Sequence, residues 1–579
     1  MEVDEALESL GKYGVWQLWH YGLFALAMMI PTCFQLLGII FTGAVPPHHC
    51  RVEDNSLLVY VEKEGELVMD SCHMLDYDTT NTTAGQNAST VACKDGWVYD
   101  EKFGNTIVSQ WDLVCGDNYL SELSQTLFVV GMLTGTLVIP PLADKFGRKP
   151  ALLLCHLMLA VVTFIGAFSP NYSAFALCRV IQGLIATGII STGFIVACEL
   201  FPANRRTVAG VVIEFFWTFA MFFLCFLGYM IREWRHLQIA IALIPALSLS
   251  GYWLCPESIP WLVANNRARQ ADKILQKAAK MNKLDLPPVI LKAAKNEKII
   301  NQSDDDERSP DEKLEYNQWC DCKECMGEYF TLFTNRKLRK NTLILFSLWF
   351  VNSLVYFGLQ FTSVTLTPNR FLNFSLNAFV EIPAVILSFY FLQRVGRRLP
   401  LCGFHFFAGL FLVVLVFVPR KTPSGDSLVW LIVTLNMLGK LFIAASYDTI
   451  FLYTPELFPT NLRNTGFGIS AFARVGGMIA PFSTLVARTI SWLPGVVFGA
   501  LSVGVGLLSL CLPETRHRAL PQTAEELNQW DEEDCFSCCR KRKERGGRGG
   551  EESRAGDEPV TDEPKPRKFP TPSKEDEIA

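Results

Sequence analysis

Long apolar runs separated by short polar tracts dominate the chain. Leu18–Gly43, Leu120–Ala143, Leu343–Phe361 and Trp430–Tyr453 each approach or exceed the roughly 20 residues that cross a bilayer as a helix. The same reading along the chain predicts twelve spans, near 18–43, 120–143, 150–168, 174–197, 208–230, 236–255, 341–361, 372–392, 400–418, 428–453, 465–487 and 493–512. The expected fold is an all-α integral membrane bundle. Residues 18–255 form one six-helix half and 341–512 the other. A polar N-terminus (1–17), a first loop (44–119), a central loop (256–340) and a tail (513–579) complete the expected plan.

Composition supports that class: half of the residues are hydrophobic and only 19% are charged. The net charge of −5 hides a segregation. Basic residues gather at Lys145–Lys149, Arg205–Arg206 and Arg394–Arg398, whereas the stretch from Cys50 to Asp117 is mainly acidic. The positive-inside rule then places both termini and the central loop in the cytosol and the first loop outside. The polar, acidic start and the long first apolar run do not read as a cleavable signal peptide. The first loop carries Cys50, Cys72, Cys93 and Cys115, an even set in an oxidising compartment, for which two disulfides are expected with three pairings open. Asn81 and Asn87 head glycosylation sequons in the same loop, and Asn301 heads one in the central loop.

The chain also repeats itself. Glu199-Leu200-Phe201-Pro202-Ala203-Asn204-Arg205-Arg206 returns 257 residues later as Glu456-Leu457-Phe458-Pro459-Thr460-Asn461-Leu462-Arg463. At the same offset Pro256-Glu257-Ser258 answers Pro513-Glu514-Thr515. A further Gly147-Arg148-Lys149 after the second span answers Gly396-Arg397-Arg398 after the eighth. Two six-span halves in parallel orientation are the plan of major facilitator carriers, whose substrate site lies between the halves near the bilayer midplane. The repeated tracts fall at cytoplasmic helix ends, where charged side chains can bridge neighbouring helices. Asp144, Arg148, Glu199, Arg206, Glu257, Arg397, Glu456, Arg463 and Glu514 are the gating candidates.

These tracts, in this order, resemble the organic cation/anion/carnitine transporter family, solute carrier family 22, over residues 10–520. The specific matches are Trp234-Arg235-His236-Leu237-Gln238, Pro256-Glu257-Ser258, Glu381-Ile382-Pro383-Ala384 and Tyr453-Thr454-Pro455-Glu456-Leu457-Phe458-Pro459; Gly439-Lys440 most resembles the carnitine-transporting branches. The chain departs from the family pattern at Pro140, at Gln393 and at Ile259-Pro260.

Ionisable residues inside spans are costly to bury and mark function by default. Glu214, Glu381, Lys440 and Arg474 stand out on that criterion. A guanidinium holds a carboxylate in two-point contact. The resemblance implies that a basic residue at Arg474 belongs to anion and carnitine carriers, and that Glu381 is an acidic cavity position. Trp349, Tyr356, Phe357 and Tyr447 occupy cavity positions by the same resemblance, with ring faces suited to an amine. Thr32 stands where sodium-coupled carnitine relatives carry Asn, and Glu214 is the candidate proton carrier. Sodium and the proton are therefore the candidate coupling ions.

Little else in the chain carries chemistry. Cys320, Cys322 and Cys325 lack a fourth ligand at zinc spacing, so no metal site is expected. The tail cysteines Cys535, Cys538 and Cys539 precede a polybasic tract that suits palmitoylation and anionic lipid, with no nucleic-acid partner needed. No phosphate-binding loop, nucleophile elbow or zinc-protease motif is present, so neither an enzyme nor a cofactor is expected. The reading is alternating-access transport of a small zwitterionic or cationic amine, carnitine-like or betaine-like, across the plasma membrane. An organic-anion exchanger is the alternative, and a non-transporting receptor or scaffold is the alternative of another class.

Overall fold

The structure is a computed structural model. It describes residues 3–516 apart from 12, 54–56, 64–65, 76–89, 203–204, 266, 286, 288–331, 364–365, 368, 425, 460–465, 467–469 and 471–472. Asn81, Asn87, Asn301, Arg463, the thiols Cys320, Cys322 and Cys325 and the tail cysteines lie outside the described residues.

Helices form where the apolar runs predict them: α1 (Val15–Leu37), α2 (Tyr119–Phe146), α3 (Arg148–Ala167), α4 (Tyr172–Glu199), α5 (Arg206–Met230), α6 (Trp234–Ser248), α7 (Arg336–Thr362), α8 (Arg370–Arg394), α9 (Arg398–Val416), α10 (Val429–Glu456), α11 (Phe482–Thr489) and α12 (Leu493–Ser509). Among the described residues, nine helices are long and apolar enough to cross a membrane by length and composition. Local sequence sets several starts. The side chains of Asn171, Asn335 and Asn369 accept hydrogen bonds from the first free N–H groups of α4, α7 and α8, the usual satisfaction of a helix N-terminus.

Three spans depart from a single straight helix. Gly38 ends α1, and Ile39–Thr42 continues it as a separate turn. The sixth span divides into α6 and Gly251–Leu254. The eleventh, expected as one helix over 465–487, is broken: Ala473–Val475 is a 3-10 turn, Gly476–Ile479 a short helix, and α11 begins after Pro481. Irregular backbone at membrane depth is tolerated where it lines protein rather than lipid. Here it faces α7 so closely that a Cβ on Gly476 would stand 2.2 Å from the Phe350 carbonyl oxygen.

The duplication is visible in the packing. α2 packs on α4, α3 on α4 and α6, and α1 on α4; in the second half α8 packs on α10, α9 on α10 and α12, and α7 on α10. The halves meet through α5 with α8 and through α2 with the broken eleventh span, two pairs that exchange under the repeat. α2 and α4 approach closely: a Cβ on Gly131 would stand 2.0 Å from the Val180 carbonyl oxygen. Small residues at such crossings are how helices pack in a membrane, where apolar burial gives little drive.

Between α1 and α2 the loop forms a β layer. β1 (His48–Cys50) pairs antiparallel with β5 (Trp97–Tyr99), while β3 (Glu66–Leu75) lies between β2 (Leu58–Lys63) and β4 (Thr90–Ala92). The cysteine pairing left open by sequence is Cys50–Cys93 with Cys72–Cys115.

Candidate functional site

Contacts that join the halves gather toward the β-rich end. Thr126 on α2 donates to the Met478 carbonyl oxygen at 2.8 Å, and Thr484 on α11 donates to Glu122 on α2 at 2.9 Å. Phe41 stacks on Phe371 of α8 with centroids 5.6 Å apart. Arg370 at the start of α8 donates to the Phe103 carbonyl oxygen at 3.2 Å. These contacts hold the two halves together at this end.

At the other end the repeated tracts build one clamp in each half. Arg148 pairs with Glu199, which also accepts from the Ser258 hydroxyl at 2.5 Å. Glu257 receives the Lys149 N–H at 3.1 Å, at the start of α3. In the second half Arg397 grips Glu456 with two nitrogens at 3.0 and 3.1 Å, and Thr515 donates to the same carboxylate at 2.5 Å. Glu514 receives the Arg397 and Arg398 N–H groups at 2.9 and 3.0 Å. A carboxylate at a helix N-terminus is favoured by the free N–H groups and by the helix dipole. Gly147 and Gly396 take φ of 110° and 126° at the two corners, and a Cβ there would meet Glu257 at 3.0 Å and Glu514 at 2.8 Å. Glycine is needed at both corners for conformation and for space. Asp144 flanks the first clamp, 3.5 Å from Arg148. Arg206 pairs instead with Asp4 at 3.0 Å, outside the clamp.

Between the two ends lies a charged set on the bundle axis. Lys440 on α10 is fully buried and stands 3.2 Å from Glu381 on α8. Tyr356 on α7 donates its hydroxyl to the same carboxylate at 2.8 Å, and Trp217 on α5 donates to that hydroxyl at 3.3 Å. This chain of partners crosses from the first half to the second. The Lys440 ammonium also sits 3.1 Å from the Tyr356 ring centroid. Glu214 lies on α5 within electrostatic range of Glu381 and Arg474, and Asp448 on α10 within range of Glu214 and Glu381. Asp448 accepts from Ser388 at 2.9 Å.

Arg474 owes its place to the broken eleventh span. Its guanidinium lies 4.7 Å from the ring centroids of both Trp349 and Phe451, and its Nε is buried with no hydrogen-bond partner among the described residues. Trp349 is oriented by donation to Thr454 at 3.0 Å. Tyr447 packs between Trp349 and Tyr356, with centroids 5.7 and 5.2 Å away, and Phe357 meets the edge of Tyr356 at 5.1 Å. The candidates Arg474, Glu381, Lys440, Trp349, Tyr356, Phe357 and Tyr447 thus come together, with Glu214 beside them. Thr32 is buried in α1, and its hydroxyl has no hydrogen-bond partner among the described residues. Among the described residues no cluster of His, Cys, Asp or Glu fit to hold a metal occurs.

Asp448, Trp217 and Phe451 join this set without having been singled out from sequence. Asp448 meets the same criterion as Glu214, an ionisable residue within an apolar run, so its signal was there. Arg179 on α4 meets it too, but it is a structural cation. It donates to the Gln35 carbonyl oxygen at 2.9 Å and to Gln125 at 2.5 Å, and stands 4.4 Å over the Phe128 ring, tying α1, α2 and α4 together. Trp217 and Phe451 had no signal, since aromatics are common throughout the apolar runs.

Comparison with known proteins agrees with this architecture. Residues 68–527 match the family model described as sugar (and other) transporter. The organic cation transporter protein of Drosophila melanogaster is 34% identical over 91% of this chain and 94% of its own length. Organic anion transporter 3 of Oryctolagus cuniculus is 32% identical over 92% and 94%, and solute carrier family 22 member 21 of Mus musculus is 31% identical over 91% and 94%. The inward-open xylose transporter XylE from E. coli shares the fold with a TM-score of 0.54 at 13% identity, over 88% of this chain and 98% of that one. The chain belongs to the sugar (and other) transporter family, with the major facilitator fold, and within it to the organic cation and anion transporters of solute carrier family 22.

Proposed function

We propose that this solute carrier family 22 member moves small zwitterionic or cationic amines, of carnitine or betaine type, across the plasma membrane by alternating access. The observation that carries the reading is Arg474, held between two aromatic rings, with an Nε that has no partner among the described residues, in electrostatic range of an acidic group. A substrate carboxylate meets the Arg474 guanidinium in two-point contact. Glu381, expected to balance the ammonium, is already engaged by Lys440 and Tyr356; Glu214 and Asp448 share that role, with the Tyr447 ring as an additional face for the amine.

Charge arithmetic separates this reading from an anion exchanger. Glu214, Glu381 and Asp448 are three acids against the two cations Lys440 and Arg474. Counted as ionised, the set carries a surplus negative charge; with one proton bound it is balanced. A dicarboxylate would add two charges of the sign already in excess, whereas a zwitterion adds none. Two coupling ions are compatible with the site: a proton on Glu214, or sodium near the open hydroxyl of Thr32. Uptake insensitive to both pH and sodium replacement would contradict both.

In this reading the β-rich loop is extracellular and both termini are cytosolic, so the end at which these contacts join the halves is the outer one and the clamps face the cytosol. Each clamp locks the helix ends of one half into a rigid unit, which the rocking motion requires. The test is competition against labelled carnitine uptake in expressing cells. Betaines and simple quaternary amines should compete and glutarate should not; competition by glutarate alone assigns the anion exchanger instead.

A further inference from the structure

A cavity of about 950 Å³ lies beneath the β layer, bounded by the loop, by the turn Ile39–Thr42 and by the ends of α2, α7, α8 and α11. That volume is typical of a site for a small organic ligand. None of Glu214, Glu381, Lys440, Asp448 or Arg474 lines it, so it is separate from the axial site.

Two oppositely charged side chains line this cavity, and each keeps one buried polar atom without a hydrogen-bond partner among the described residues. Glu122 is 9% exposed. Its Oε1 accepts from Thr484 at 2.9 Å and stands 3.7 Å from Arg488, while Oε2 is buried without a partner among the described residues. Arg370 uses Nη2 on the Phe103 carbonyl oxygen at 3.2 Å and lays its guanidinium 4.0 Å from the Phe103 ring centroid; Nη1 is buried without a partner among the described residues. Buried polar atoms are ordinarily satisfied, and an unmet carboxylate oxygen and an unmet guanidinium nitrogen on side chains lining one chamber, once turned toward it, are complementary to a molecule carrying both charges.

We propose that this chamber is a second binding site, for a small zwitterion, in which Glu122 takes the ammonium and Arg370 the carboxylate. The choice of a zwitterion rests on the reading of the axial site; the two open groups do not. Glu122 joins α2 to α11 through Thr484, so opening this end must part that hydrogen bond. An ammonium taken by the free Oε2 leaves the Oε1 hydrogen bond to Thr484 in place, so occupancy of the chamber does not require α2 and α11 to part.

The test is titration calorimetry of the full-length protein in nanodiscs with carnitine. The wild type should bind two molecules per chain, and Arg474→Gln should keep one. Adding Glu122→Gln or Arg370→Gln to that variant should weaken the remaining site about 10- to 100-fold, as loss of a charged hydrogen-bond partner does. Gly116→Trp gives a second route, because Gly116 lines the chamber and a Cβ there meets open space; filling the chamber should abolish this site while leaving both charges in place. Unchanged stoichiometry and affinity in Glu122→Gln/Arg370→Gln and in Gly116→Trp would overturn the proposal and spare the axial reading. A single carnitine that survives Arg474→Gln and is lost with Glu122→Gln upholds the chamber and overturns the axial reading. Absence of carnitine binding in every form overturns both.

Discussion

Lys440 and Glu381 face each other 3.2 Å apart across α10 and α8, with the ammonium over the Tyr356 ring. Neither charge is exchangeable alone. Removing one partner leaves the other buried and uncompensated, at a cost of about 3–5 kcal/mol, whereas removing both together is often neutral. Lys440→Met and Glu381→Gln should each lower the melting temperature of the purified protein, and the double variant should recover most of the loss. Additive losses would show that the pair does not act as a unit.

Tyr356 links the halves through its hydroxyl, which receives from Trp217 and donates to Glu381. Tyr356→Phe keeps the ring under Lys440 and deletes both hydrogen bonds, at about 1–3 kcal/mol for the polar groups left open. Carnitine affinity should fall by about tenfold, or by less if water replaces the hydroxyl. Trp217→Phe should fall short of that effect, because it removes only the donor. Equal affinities for wild type and Tyr356→Phe would place the hydroxyl outside the binding machinery.

The clamps are expected to govern turnover rather than affinity. Arg397 grips Glu456 with two nitrogens, a fork that Lys cannot reproduce. Arg397→Lys should reduce the maximal transport rate severalfold with little change in carnitine Kd, and Arg148→Lys should do the same in the other half. A matched loss of affinity would contradict a purely conformational role.

Sequence carried the frame of this molecule further than it carried the site. Helix positions followed from apolar length, and the paired clamps followed from the Glu-Leu-Phe-Pro, Pro-Glu and Gly-Arg repeats, because both are short-range or duplicated signals. Arg474, Lys440 and Glu381 were legible because a charge inside an apolar run is rare. Their partnership was not: that Lys440 would turn to Glu381 while Arg474 kept an open nitrogen depends on how α8, α10 and the broken eleventh span meet. The break itself was hidden, since Gly476, Gly477 and Pro481 sit in a run otherwise long enough for one helix. The Glu122–Arg370 chamber was equally hidden, because its two charges lie 248 residues apart in the chain and meet only beneath the β layer.

The two disulfides each close 43 residues of the first loop, which by chain entropy alone stabilises the folded loop by about 4 kcal/mol. Non-reducing peptide mapping should recover Cys50 linked to Cys93 and Cys72 linked to Cys115. Cys50→Ser should lower surface expression, and Cys50→Ser/Cys93→Ser should restore part of it by removing the stray thiol. Recovery of a Cys50–Cys72 peptide would contradict the arrangement of the β layer.

The mixed-charge axial site is tested most directly by flux through proteoliposomes holding wild type or Arg474→Asp, with labelled carnitine, tetraethylammonium and glutarate offered separately. The account predicts that the wild type carries carnitine and not glutarate. Reversing the charge at Arg474 should abolish carnitine flux while tetraethylammonium flux is kept or raised. Carnitine flux undiminished in Arg474→Asp, or glutarate as the sole substrate of the wild type, would contradict it.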